Sequence, residues 1–326
     1  MIDVVYIHRG RNKRSTEIGQ LFTRVDYNFD YRGKSTFLLL LKAAITATEI
    51  PRAKVYFVEG GLCQNVASLL KMTKARDAKI ILMVCEPLFH LDNVPSWKQK
   101  YLRWMLSKVD GLIAICDMIK EDAKKLYAGP TAIAHRYIID IERFLHIKAD
   151  ISAKRIIYVI ERPTETGYIK GLDVMIEAFK IVKKKEPKAE LLIIGAGTEY
   201  LRYNVKGVRC LGFQKPEDVY TQCSVVVAPA RYDAFPYAIA EGCCAGMIPL
   251  VSKNVGAKEY VAKVDPSLVI GSVDPQEYAE KILEIWNTPK EKLQAMSAVA
   301  KKEASKLNKE QCTHEFRAAW KKLVKS

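Results

Sequence analysis

Short apolar runs alternate with longer amphipathic ones along the chain, and this alternation constrains the fold more than any other feature. "DVVYI", "KVYFV", "KIILMV" and "GLIAI" read as strands in the first half; "RIIYVI", "ELLIIG", "VRCLGF", "SVVVAP" and "IPLVS" read likewise in the second. Between them lie helical patterns such as "TFLLLLKAAITATE", "GLDVMIEAFKIVKKK" and "YAIAEGCCAG". A strand apolar on every residue has no wet face, so it belongs to a parallel sheet covered by helices on both sides. With 326 residues, the chain has the length for two such sheets. The polar stretch "HIKADISAK" (146–154) precedes a fresh strand and marks the expected boundary. The reading is an α/β chain of two Rossmann-like, doubly wound domains, 1–150 and 151–305, facing across a cleft. Ligands are expected at the carboxyl ends of the strands. Residues 306–326 form a last helix whose Phe316 and Trp320 share a face, suited to packing back on the first domain.

Composition and motifs narrow the function by exclusion. No apolar run approaches the ~20 residues of a membrane span. The start "MIDVVYIHRG" lacks the pattern of a secretory signal, so a cytoplasmic protein is expected. The eight cysteines form no C-x-x-C pair and read as small buried hydrophobes of a reducing compartment. Asp26, Asn28 and Asp30 open like a calcium loop, but Tyr31 stands at the glycine position and Phe37 at the closing glutamate. "GKST" lacks the first glycine of a phosphate-binding loop, since position 28 is Asn. Gly33 to Thr36 open a helix, either capped by Ser35 or Thr36 or facing an anion. The five histidines have no metal-ligand spacing, and no D-x-D pair occurs. No metal and no cofactor is expected.

The net charge of +15 is spread over both halves and favours anionic partners. Its densest cluster is Arg9, Arg11, Lys13 and Arg14. No nucleic-acid-binding motif accompanies it, so nucleic acid is not an expected partner. "WKQKYLRWMLSK" places Trp97, Tyr101, Trp104 and Met105 at helical spacing among Lys98, Lys100, Arg103 and Lys108. Two readings stand: a core helix with a solvated basic edge, or a helix lying on an anionic membrane.

The second half holds a series of motifs in one order: "IKGLDVMIEAF", "LLIIGAG", "CLGFQKPEDVYTQCSVVVAP", "DAFPYAIAEG", "AGMIPLVS" and "NVGAKEYV". Over Arg155–Val261 this series resembles the donor-binding domain of family-four retaining glycosyltransferases of the GT-B fold. The resemblance implies transfer of a hexose-type sugar from a UDP- or GDP-linked donor to an acceptor hydroxyl on a glycan, lipid or protein. It implies no metal and no side-chain nucleophile. Charge builds on the departing diphosphate, so fixed cations are needed there. Arg162 can fork onto phosphate oxygens and Lys170 can supply a point charge. By resemblance Glu241 accepts from the ribose hydroxyls and Asp233 binds the transferred sugar. Ala234, Phe235 and Pro236 line the sugar and phosphate, where Pro236 has no N–H to offer. Gly212 and Phe213 stand near the base.

Some residues depart from the family pattern. Eight positions separate Arg162 from Lys170, Glu161 stands where Gly is usual, Asp233 replaces a commoner Glu, and Pro236 replaces a Gly. The extra loop "PTETGY" is expected to reshape the phosphate site. The first half resembles the family less. Glu59 lies near one strand end and Cys85-Glu86 near another, with Glu86, His90 and Gly33 as candidate acceptor-side residues. The alternatives are a nucleotide-sugar isomerase on the same fold and a nucleotide-sugar-binding protein without transferase activity.

Overall fold

The computed structural model describes residues 2–8, 24–28, 36–60, 63–85 and 94–325. The chain divides into two compact units, Met1–Arg136 with Glu310–Ser326, and Tyr137–Lys309. The crossing thus falls earlier than the polar stretch at 146–154. A short helix, Ile141–Leu145, buries Ile141 and Phe144 in the second unit. Beyond it, Ala149 N–H donates to Ala245 and Asp150 N–H to Thr221, so the polar stretch is tied there too. The return falls later than residue 306, because Leu307 is buried and accepts from Ile138 N–H in the same unit.

The first unit runs β1 (Ile2–His8), β2 (Arg24–Asn28), α1 (Thr36–Glu49), β3 (Ala53–Glu59), α2 (Cys63–Met72), β4 (Lys79–Val84), α3 (Ser96–Leu106), β5 (Gly111–Ala114), α4 (Asp117–Lys124) and β6 (Thr131–Ile133). Its sheet is parallel with order β2-β1-β3-β4-β5-β6. The all-apolar runs lie in the middle, where helices cover both faces. The last helix of the chain, Lys309–Lys325, packs on this sheet. The rings of Phe316 and Trp320 meet Phe57 edge-on at 5.6 and 5.4 Å, and Lys79 Nζ donates to Val324 O.

The second unit continues with α5 (Ile141–Leu145), β7 (Arg155–Val159), α6 (Pro163–Lys170), α7 (Leu172–Lys185), β8 (Glu190–Ile194), β9 (Val208–Cys210), α8 (Pro216–Tyr220), β10 (Val225–Ala228), α9 (Tyr237–Cys244), β11 (Ile248–Ser252), α10 (Lys258–Val264), β12 (Val269–Ile270), α11 (Pro275–Asn287) and α12 (Lys290–Ser305). Its parallel sheet has the order β12-β11-β10-β7-β8-β9. The strands diverge in connection between β7 and β10, so a crevice opens beyond their carboxyl ends. The helix α7 buries Leu172, Met175, Ile176, Phe179 and Val182, the one-face spacing that makes this segment helical. The small residues of α9 allow close approach to β10: a Cβ at Gly242 would meet Val226 Cγ1 at 2.8 Å.

Six cysteines are buried, and Cys85 and Cys210 are half-buried; burial pushes the Cys223 thiol up to about 12. Among the described residues no helix is long and apolar enough to cross a membrane.

The join of α6 to α7 depends on Gly171, at φ 75°, where an added Cβ would stand 1.9 Å from Pro229 O. Gly171→Ala is expected to lower the stability of the second unit by at least about 2 kcal/mol, from left-handed strain and the clash. Gly271→Ala, with nothing within 4 Å of the added Cβ, should stay within about 0.5 kcal/mol. Urea unfolding followed by circular dichroism compares them, and equal midpoints would refute the steric account.

Candidate functional site

Of the predicted residues of the second half, Lys170 and Asp233 meet beyond the ends of β7 and β10, whereas Gly212, Phe213 and Glu241 lie against other elements. Arg162 follows β7 by three residues, and Asp233 follows β10 by five. Lys170 Nζ donates to Asp233 Oδ2 at 2.6 Å, and the Asp233 carboxylate is only 11% exposed. The other oxygen, Asp233 Oδ1, accepts from Phe235 N–H at 3.2 Å. The backbone of Asp233 is held by Asn254 O and Gly256 N–H, in a bridge to Val255. Asp233 is therefore fixed by main chain on one side and Lys170 on the other.

The stretch "PTETGY" is a helix rather than a loop. Pro163 opens α6 at its first position, where the missing N–H costs nothing. The eight-residue spacing thereby places Arg162 and Lys170 at opposite ends of α6, about 12 Å apart along its axis. Arg162 adopts φ 51°, rare for a residue with a side chain and more so before proline. The surroundings enforce it: Arg162 N–H donates to Ala196 O, and Arg162 O accepts from the N–H of Glu165 and Thr166. The Arg162 guanidinium is 68% exposed and reaches Glu165 at 3.3 Å.

A second pair ties α6 and α7 to the loop that follows β10. Arg231 forks onto Asp173, NH1 to Oδ1 at 2.8 Å and NH2 to Oδ2 at 2.7 Å. Its NH1 also reaches Tyr168 O, and its guanidinium lies 3.8 Å from the centroid of the Tyr168 ring. Arg231 N–H donates to Ile169 O, and Tyr158 Oη donates to Lys170 O. These contacts locate the backbone from which Lys170 projects. The fork holds the Asp173 carboxyl below its ordinary value, while the carboxylate raises Arg231. Sequence reasoning missed both residues, because no local pattern links positions 58 apart.

The strand ends toward the sheet edge carry the glycines. Gly195 follows β8 at φ 125°, with Ile160 O 1.9 Å from where a Cβ would be. Its N–H donates to Gly212 O, and the buried Thr198 Oγ1 accepts from Gly212 N–H. Thr198 is a third residue that sequence reasoning missed. Phe213, next in the chain, is 78% exposed.

On α9, Ala234 and Phe235 before the helix are buried, and Phe235 meets Tyr237 and Tyr260 edge-on. Glu241 is half-buried one turn into α9. Its charge reaches Tyr220, whose hydroxyl is pushed up mainly by burial, and Arg143, raised mainly by its bond to Glu217. Glu241 and Asp233 thus address different neighbours: α5 and α8 for the first, α6 for the second.

In the first unit, Glu59 ends β3 and is buried, accepting from Tyr6 Oη and pairing with Arg136 at 2.8 Å. Gly33, Glu86 and His90 lie outside the described residues. Among the described residues, no group of three His, Cys, Asp or Glu side chains could hold a metal ion.

Two parallel, doubly wound units with this crevice define a GT-B protein, and comparison with known proteins agrees. Residues 144–303 match the family "Glycosyl transferases group 1". An uncharacterized glycosyltransferase of Bacillus subtilis, YqgM, is 25% identical over 43% of this chain, and the match spans 42% of that relative. Solved structures share the fold over nearly the full length. Alpha,alpha-trehalose 6-phosphate synthase of Burkholderia multivorans has a TM-score of 0.76 at 12% identity, covering 99% of this chain and 97% of its own. An E. coli structure, trehalose-6-phosphate bound with UDP-2-fluoro glucose, has a TM-score of 0.74 at 10% identity, covering 99% of each chain. Anabaena HepE, solved with UDP and glucose, has 0.68 at 14%, again over 99% of each.

Loss of the clamp has a measurable expectation. Arg231→Ala should lower unfolding free energy by about 1–2 kcal/mol at neutral pH, a partly exposed fork and ring contact being worth that much. The folded Asp173 pKa is depressed, so its contribution is complete above the ordinary value near 3.9. It is lost as pH falls through the lower folded value. The parent–variant difference should therefore shrink below about pH 4. A difference that does not change with pH down to unfolding would count against the ion pair.

Proposed function

We propose that the protein is a retaining, metal-independent hexosyltransferase that uses a nucleoside diphosphate sugar. One observation carries this reading: the Lys170–Asp233 contact at the crevice between β7 and β10, inside the segment that matches the family. The two charges need not separate to bind a donor. An ammonium has three donors, and one is spent on Asp233, leaving two for phosphate oxygens. A carboxylate offers about four acceptor sites, and two are spent here, leaving room for sugar hydroxyls.

Arg162 supplies the second cation. Its exposed guanidinium, held by a fixed backbone, can swing from Glu165 to the diphosphate, which offers more charge. The ribose hydroxyls donate to Glu241, and the Gly195–Gly212 edge with Phe213 takes the base. As the bond from sugar to phosphate breaks, charge grows on the leaving oxygen, where Lys170 and Arg162 stabilise it. The leaving phosphate oxygen accepts the proton of the acceptor hydroxyl on the same face of the sugar. The new glycosidic bond then forms with the anomeric configuration kept, and no side-chain nucleophile takes part. UDP and glucose in the named relatives support a uridine donor and a hexose as the first candidates to test.

The test incubates the protein with labelled UDP- and GDP-hexoses, following hydrolysis and transfer, and determines the product anomer by NMR. Dialysis against EDTA should leave turnover intact. Glu241→Ala should weaken UDP binding about tenfold to a hundredfold, the loss of charge-assisted hydrogen bonds. Glu177→Ala, an exposed acid on α7, should not. Equal UDP affinity in parent and both variants would remove the site, while donor binding without hydrolysis or transfer would make this a binding protein.

A further inference from the structure

We propose that the outer face of α3 docks the protein on an anionic lipid surface. The sequence leaves two readings of this helix, and burial separates them. Leu102, Met105 and Leu106 form the core side. Trp97 and Trp104 do not join it: they are 68% and 41% exposed. Seven residues apart, they lie two helical turns from each other on one side of α3, with rings about 10 Å apart along the axis. Tyr101 is held inward by its hydroxyl bond to Asn65, and its ring stacks on Trp104 at 5.9 Å, which steadies the outer indole.

Cations surround these indoles. Lys98, Lys100 and Arg103 are exposed on the same helix, which carries no acid. The nearest acid after it, Asp110, is engaged by Lys71 and by Ile80 N–H. Two exposed indoles among three cations that make no ion pair among the described residues suit one occupant. At a membrane interface, indole rings sit at headgroup depth and lysine stems lie along apolar surface with their charges in water. Anionic headgroups supply the opposite charge. A protein partner fits less well, since lysine is depleted from the buried centres of protein interfaces.

The neighbouring helices extend the face. The crossovers from β2 to β3, β3 to β4 and β4 to β5 all advance the same way across the sheet. Right-handed crossing therefore puts α1, α2 and α3 on one side, and α2 touches both others. On α1, Leu41 and Ile45 are exposed one turn apart. The inference stands apart from the donor chemistry, which lies in the second unit.

The test uses the intact protein with vesicles of phosphatidylcholine alone or with about one third phosphatidylglycerol. Tryptophan emission should shift to the blue, and brominated lipid should quench it, with the anionic vesicles only. Raising salt from about 0.1 to 0.5 M should reverse binding. Trp97→Ser combined with Trp104→Ser should reduce vesicle partition at least about tenfold. Its circular dichroism and UDP affinity should match the parent, which separates this result from failure of the donor site. Vesicle binding unchanged in the double variant overturns the assignment to α3. Equal binding to neutral vesicles, or no binding to either, overturns the anionic-lipid proposal. Binding to RNA or heparin without binding to vesicles overturns it too and gives the face to a polyanion.

Discussion

The parallel pairing of β7 with β10 is the constraint on which the second unit depends. Val225, Val226 and Val227 lie beside Ile156, Ile157 and Tyr158, and the chain leaves these neighbours toward opposite sides of the sheet. No connection can then cover the space beyond their carboxyl ends, and that space collects the polar residues. The driving force is apolar: fully burying such a side chain is worth about 1.5–3 kcal/mol. The site is thus a by-product of core packing, and its residues hold their places because the strands beneath them cannot move.

What the strands leave loose, ion pairs and backbone fits make firm. The helix α6 buries only Pro163 and Gly167; it is held by Arg231, which bridges Tyr168 O and Asp173 of α7, by Tyr158 on Lys170 O, and by Gly171 against Pro229. Arg162 sits in left-handed backbone at a cost of about 1–2 kcal/mol, maintained by contacts on both its N–H and its C=O. Strain that is over-determined at a crevice is the form that pre-organisation takes. The first unit shows a different economy at its own strand ends, where Glu59 is buried between Tyr6 and Arg136.

Much of this was legible in the sequence, for definite reasons. Continuous apolar runs such as "SVVVAP" mark strands wet on neither face, and the one-sided pattern of "GLDVMIEAFKIVKKK" marks a helix. Motif order marked Lys170 and Asp233 as candidates, but their contact was not legible. The helical state of "PTETGY" was not legible, because its residues carry no apolar period and its helix is stabilised from outside. The crossing at residue 136 is not legible, because the polar stretch at 146–154 reads as the boundary. That stretch is polar yet bound through its backbone, which hydropathy does not register.

By itself the sequence determined two parallel α/β units, the order of their strands along the chain, and Lys170 and Asp233 as candidates beyond the strands of the second unit. These are set by local periodicity and by motifs a few residues long. Only the tertiary structure decided which partners those charges have. It put Arg231 on Asp173, separated Arg162 from Lys170 by a helix, and turned Trp97 and Trp104 outward. Each of these depends on distances between residues remote in sequence, or on which side of a helix the core occupies. No short stretch of chain encodes either.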